Sequence, residues 1–147
     1  MKKPAADAPV VLLAEDNDSY RVFCKMTFQE AGYRVLEARD GTEAIQQALE
    51  GSPAALVLDL WLPGISGREV LRILRSNRDF AAMPILVVSG VPEVKDREGL
   101  LADGADAVFE KPFPPPDLVK ATAGLLRSGR LPDKGGKRRL EAAGGDA

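Results

Sequence analysis

The apolar positions of this chain follow two alternating rhythms: unbroken runs of about four or five apolar residues, and between them apolar residues that return every third or fourth place. A short unbroken run bounded by polar residues marks a strand buried on both faces, and the three-to-four spacing marks an amphipathic helix. The first run, Val10–Ala14, passes directly into Glu15, Asp16, Asn17 and Asp18. Positions 18–31 then place Tyr20, Phe23, Cys24, Thr27, Phe28 and Ala31 at helical spacing, with Asp18 or Ser19 as the N-cap and Gly32 as the stop. A second strand ends near Ala38, and Asp40 caps a helix whose Ala44, Ile45, Ala48 and Leu49 form one stripe before Gly51.

The alternation continues to the end of the patterned region. PAALVLDL reads as a third strand, followed by a turn at Pro63 and Gly64 and a helix with Gly67, Val70, Leu71 and Leu74 on one face. MPILVVSG reads as the fourth. The next segment, 92–103, has the weakest pattern, because Arg97 and Glu98 interrupt the stripe from Val94 to Leu101, and it predicts a short, loosely held helix. ADAVFEKPF is the fifth strand, and after three prolines 117–127 is the last helix, with Leu118, Thr122 and Leu125 or Leu126 facing inward. Five strands alternating with five helices predict an α/β fold, doubly wound around a parallel sheet. The domain is expected over 9–127, with a flexible N-terminus at 1–8. At 128–147 Gly and charge replace any period, which predicts a disordered tail or linker whose KGGKRR stretch is solvated.

Composition narrows the function. An apolar share of 45% suits one soluble domain, and a net charge of −2 offers no general attraction to nucleic acid or to an anionic membrane. The chain has no histidine, which excludes histidine acid–base catalysis, histidine-bound metals and phosphorylation of its own histidine. Its one cysteine, Cys24, cannot form an internal disulfide and reads as a small core residue. No apolar run is long enough to span a bilayer or to follow the first lysines as a secretory signal, so a cytoplasmic location is expected.

The chemistry gathers at the strand ends. In an open α/β sheet ligands bind outside the carboxyl ends of the strands, where the strand order reverses. Those ends carry Glu15 and Asp16, then Asp59, then Ser89, then Lys111. Taken singly, these are helix caps, turn formers and a surface charge. Taken together, three carboxylates at one edge repel one another unless a cation intervenes, and with only oxygen donors the fitting cation is Mg²⁺. A metal beside Asp59, with Lys111 and the Ser89 hydroxyl opposite, makes a cradle for a phosphoryl group, with Asp59 as the nucleophile.

The motifs AEDN, LVLDLWLPGISGREVL, VVSG and EKPF, in this order and spacing, resemble the receiver domain of two-component response regulators, the CheY-like family, over about residues 9–127. The resemblance implies a flavodoxin-like five-stranded sheet in the order 2-1-3-4-5. It implies Asp59 as phosphoacceptor and Glu15 and Asp16 as the acidic pair, with Asp16 a direct Mg²⁺ ligand and Glu15 acting mainly through water. The backbone carbonyl of Trp61 is a further ligand, Ser89 binds a phosphoryl oxygen, and Lys111 pairs with the phosphorylated side chain, its peptide bond to Pro112 being cis. The phosphodonor implied is a sensor histidine kinase or a histidine phosphotransfer protein. The output implied is a protein target, or a phosphorylation-dependent homodimer, on the face formed by helix 4, strand 5 and helix 5. No DNA-binding region is recognisable after Arg127. The protein is thus expected to be a switch that catalyses only its own modification and reset.

Three positions depart from the family pattern. Val108 stands where a switch aromatic is usual, with Phe109 beside it and, by alternation, on the other face of the strand. Gly90 replaces the usual alanine after Ser89, which predicts a more mobile loop. Trp61, two residues past Asp59, either shields the acyl phosphate from water or forms a partner-binding rim. Competing readings share parts of the pattern. A flavin binder needs a glycine- and hydroxyl-rich phosphate loop where this chain has EDND. A haloacid-dehalogenase-type phosphatase wants a second Asp at the place of Trp61. A degenerate receiver acting as a phosphorylation-independent interaction module draws its support from Val108.

Overall fold

The computed structural model describes residues 4–129, so positions 1–3 and the tail from 130 onward, KGGKRR included, lie outside the described residues. The apolar runs form β1 (Val10–Ala14), β2 (Arg34–Ala38), β3 (Ala55–Leu58), β4 (Ile85–Ser89) and β5 (Ala107–Glu110). They pair in parallel in the order β2-β1-β3-β4-β5, which puts the reversal of strand order between β1 and β3. Between them run α1 (Asp18–Glu30), α2 (Gly41–Gly51), α3 (Gly67–Arg75), α4 (Val91–Val94) and α5 (Arg97–Ala102), and α6 (Pro115–Ser128) follows β5. The architecture is the expected doubly wound α/β fold with the expected strand order.

Period-two alternation sorts the strand residues onto two faces. Leu12, Leu56, Leu58, Ile85, Val87 and Val108 pack with residues of α2, α3 and α5, while Val11, Leu13, Val57, Leu86, Val88 and Ala107 pack with α1 and α6. The helix stripes expected from the sequence are mostly the buried ones: Cys24 and Phe28 in α1, Gly67, Val70, Leu71 and Leu74 in α3, Leu118 and Thr122 in α6. Leu125 and Leu126 both pack, half-buried, against the second layer. The chain before β1 is tied to the sheet at Ala8, whose carbonyl accepts from Arg34 Nε at 3.0 Å.

Several local expectations need correction. The N-cap of α1 is Asn17, not Asp18 or Ser19: its side chain accepts from the Tyr20 amide, and Asp18 sits inside the first turn, paired with Arg21 at 2.6 Å. Phe23 and Leu49 do not face the core, being 54% and 56% exposed. The apolar residues of α1 cover more of its circumference than one sheet face can accept, and the inward place goes to Arg21. That side chain is buried because its guanidinium is satisfied by Glu37, Asp18 and the Glu15 carbonyl.

The weakly patterned segment becomes two helices rather than one. The break is at Asp96 (φ −91°, ψ 61°), whose side chain caps α5 by accepting from the Gly99 amide at 3.1 Å. Arg97, which spoils the apolar stripe, reaches across to β5 and donates to the Val108 carbonyl at 2.6 Å. Leu100 and Leu101 anchor α5 in the core, and Arg68 and Arg72 of α3 hold it from outside through Asp96 and Asp103.

At the opposite, N-terminal end of the strands, Arg75 donates to the carbonyls of Phe80 (2.6 Å) and Gly104 (2.9 Å) and to Asp106 (3.0 Å). Asp106 is fully buried and also accepts from the Ile85 amide at 2.9 Å. This network joins α3 to the feet of β4 and β5.

Candidate functional site

The backbone pairing of the sheet runs one rung past the strands and so places the site residues. The Glu15 amide donates to Ala38, the Asp59 amide to Ala14, and the Lys111 amide to Ser89, at 2.9, 3.0 and 2.8 Å. Each functional side chain is thereby fixed at the carboxyl end of its strand, beside the β1/β3 reversal. The start of α3 closes in from below. A Cβ on Gly67 would lie 2.2 Å from the Asp59 carbonyl oxygen and 2.5 Å from the Leu60 Cα, so only glycine lets the helix approach the backbone behind Asp59.

Asp59 is buried and its carboxylate is fully partnered. Oδ1 accepts from the Ser89 hydroxyl at 2.6 Å and from the Trp61 amide at 2.9 Å, and Oδ2 accepts from Lys111 Nζ at 2.8 Å. Lys111 also reaches Glu15 Oε1 at 2.7 Å, while Glu15 Oε2 accepts from the Asn17 amide at 2.9 Å. Burial, reinforced by the Asp59 charge, pushes the Glu15 carboxyl up to about 7 against the pull of Lys111 and Asn17. Burial works against the Lys111 charge too, but its hydrogen bonds to Asp59 and Glu15 outweigh it and raise its pKa. The peptide bond from Lys111 to Pro112 is cis, as the resemblance implies.

The structure therefore brings Glu15, Asp59, Ser89 and Lys111 into direct contact, together with the backbone of Trp61. Asp16 is exposed and lines the same opening, a cavity of about 450 Å³, with no hydrogen bond or ion pair from its side chain to the other four. The Trp61 side chain stands at the mouth, 71% exposed. Gly90 lies at φ −73°, a conformation open to any residue, so what its missing side chain leaves free is space beside Glu93. Val108 is buried and Phe109 packs on the opposite face, stacked on Phe113 with ring centroids 4.2 Å apart.

Among the described residues, no three acidic, histidine or cysteine side chains form a ready metal-holding group. Lys111 Nζ bridges Glu15 and Asp59 at 2.7 and 2.8 Å. The donor set nonetheless fits a hard divalent ion: Glu15, Asp16, Asp59 and the Trp61 carbonyl are all oxygen donors, and Glu15 and Asp59 are two buried carboxylates contacting one ammonium.

Three residues of the site escape the strand-end reading. Asn17 both caps α1 and lines the opening, which the preference of N-caps for Asn signals. Glu93 lines it from the first turn of α4, where acidic residues are favoured. Tyr20, under Lys111, has no local signal, because the two are far apart in the chain.

Known proteins resemble this chain in sequence and in fold. Residues 11–123 match the family model described as "Response regulator receiver domain". The chain is 37% identical over 123 residues to the response regulator MprA of Mycobacterium ulcerans, covering 84% of this chain and 52% of that protein. It is 37% identical over 117 residues to the MprA of Mycobacterium leprae, covering 80% and 50%. The chain thus spans about half the length of these curated relatives. Among solved structures it resembles the chemotaxis response regulator CheY4 of Vibrio cholerae, with a TM-score of 0.71 and 31% identity over 81% of this chain and 98% of that one. The receiver domain of the Francisella response regulator 1452 gives a TM-score of 0.75 at 28% identity, covering 82% and 98%.

Proposed function

Because the chain belongs to the response regulator receiver domain family, we propose that Asp59 accepts a phosphoryl group from the phosphohistidine of a sensor histidine kinase or a histidine phosphotransfer protein. The observation that carries this reading is the Asp59 carboxylate itself, buried at a sheet edge with the Ser89 hydroxyl on one oxygen and the Lys111 ammonium on the other. Both partners are donors, and both are where a phosphoryl group on that carboxylate needs charge compensation.

In the transfer, an Asp59 oxygen attacks phosphorus, the P–N bond to histidine breaks, and the imidazole leaves with the electron pair and takes up a proton. Lys111 moves from the carboxylate to a phosphoryl oxygen, and the Ser89 hydroxyl turns from carboxylate to phosphoryl. Glu15, Asp16, Asp59 and the Trp61 carbonyl would hold Mg²⁺, which when bound supplies charge neutralisation for the transferring group. Water later attacks the acyl phosphate and restores the carboxylate. The chain acts on itself as a switch, and the output face comprises α4, α5, β5 and α6, open to a protein target or to a second phosphorylated copy.

The test is intact mass after incubation with acetyl phosphate and Mg²⁺. Gain of one phosphoryl group by the wild type, absent in Asp59→Asn and without Mg²⁺, is the expected result. No gain from acetyl phosphate or from phosphohistidine donors would leave the phosphorylation-independent module, which the buried Val108 favours, as the reading.

A further inference from the structure

Lys111 is held by two carboxylates and by a ring. Tyr20, in the first turn of α1, places its aromatic face 4.9 Å from Lys111 Nζ. Its hydroxyl donates to the Phe113 carbonyl at 2.6 Å, two residues beyond Lys111. One side chain therefore touches both the ammonium and the segment that carries it.

We infer that Tyr20 is a positioning residue for Lys111: its ring holds the ammonium over the opening, and its hydroxyl tethers the chain on which Lys111 rides. The inference rests on the phosphoacceptor reading of Asp59. The two carboxylates cannot hold Lys111 steadily through such a cycle, because each changes partners in it. Asp59 becomes an acyl phosphate, and Glu15 would share its oxygens with a divalent ion when one is bound. The face of an aromatic ring attracts a cation through its quadrupole and has neither proton nor phosphoryl group to exchange, so its contact with Lys111 persists in every state. The tether works in the same direction. It links the start of α1, which carries Asn17 against Glu15, to the segment after β5, and keeps the acidic and basic sides of the site at a fixed separation.

A Tyr20 that merely filled space between α1 and the segment after β5 would be replaceable by an apolar side chain of similar length. That is the alternative to exclude. Tyr20→Phe keeps the ring and removes the tether, and Tyr20→Met keeps length and apolar volume and removes the ring; a thermal midpoint for each checks that it folds. Two readouts separate the roles. The ε-methylene protons of Lys111, identified by their loss in Lys111→Arg, are shifted upfield by a ring stacked on the side chain, and this is read by NMR without any phosphoryl group. The rate of phosphorylation by acetyl phosphate with Mg²⁺ is read by intact mass.

The expected result is an upfield Lys111 methylene in the wild type and Tyr20→Phe, lost in Tyr20→Met. The rate is expected to fall about five-fold in Tyr20→Met and by less in Tyr20→Phe. Equal rates in all three proteins, or an unchanged methylene shift in a folded Tyr20→Met, would overturn the inference. A wild type that takes no phosphoryl group overturns the phosphoacceptor reading, and the methylene shift then still decides whether the ring holds Lys111.

Discussion

Glu15 and Asp59 contact the same ammonium, and the Glu15 carboxyl is pushed up to about 7 mainly by burial. Because its folded pKa lies above the ordinary 4.5, folding binds its proton more tightly than the unfolded chain does. The stability this contributes is complete below the unfolded value and is lost as pH rises toward 7. Added Mg²⁺ is therefore expected to raise the thermal midpoint more near pH 8 than near pH 5, with the difference shrinking in Glu15→Gln; equal gains at both would count against Glu15 as a cation-facing group. Trp61 makes a second residue-scale case. Its ring stands at the mouth of the site, and shielding of the acyl phosphate predicts a lifetime several-fold shorter in Trp61→Asn, followed by loss of the phosphorylated mass. Equal lifetimes would assign the ring to a partner-binding rim. Glu15, Asp16, Asp59, Ser89 and Lys111 were legible in the sequence because each is a polar residue ending an apolar run, and topology alone brings such ends together. Tyr20 was not, since its contact with Lys111 depends on how α1 sits beside the segment that joins β5 to α6, which no local pattern encodes.

At the scale of elements, the informative case is α4 and α5. The interrupted stripe around Arg97 and Glu98 was a true signal of weak helix, but its outcome, two helices with a break at Asp96, depended on partners elsewhere in the chain. Asp96 caps α5 while meeting Arg68, and Arg97 satisfies a carbonyl of the edge strand β5. α1 shows the converse: its apolar pattern was legible, but which stripe faced inward was decided by Arg21 and its three partners, leaving Val22, Phe23 and Met26 outside. Loss of the Arg97 contact frees a backbone acceptor and detaches α5 from β5 on one side. Arg97→Ala is expected to cost about 1 kcal/mol in urea unfolding. It should also speed amide exchange across 91–103 more than in α1, as local opening of this segment requires. Uniform acceleration over the whole chain would show that Arg97 supports the fold rather than this element.

For the whole molecule, the sheet is the common frame. Leu56 sits at its centre, fully buried, paired with Leu12 on one side and Ile85 on the other. Leu56→Ala is expected to cost about 3 kcal/mol in urea unfolding, and because β3 leads to Asp59 the loss should be accompanied by slower phosphorylation; a cost below about 1 kcal/mol would mean the two layers repack around the gap. The two ends of β4 and β5 are held unequally. At their feet Arg75 and Asp106 tie Phe80, Gly104 and Ile85 into a buried network, whereas at the head of β4 the four-residue α4 follows Ser89 with no side-chain cap. In mechanical terms these two strands are clamped at the base by that network and latched at the tip by the site's own contacts, Ser89 to Asp59 and Lys111 to Asp59 and Glu15. On the proposed phosphoacceptor reading, a change of partner at Ser89 would release the tip and leave the base in place, so a surface that reads the change would belong near the tip rather than beside Arg75.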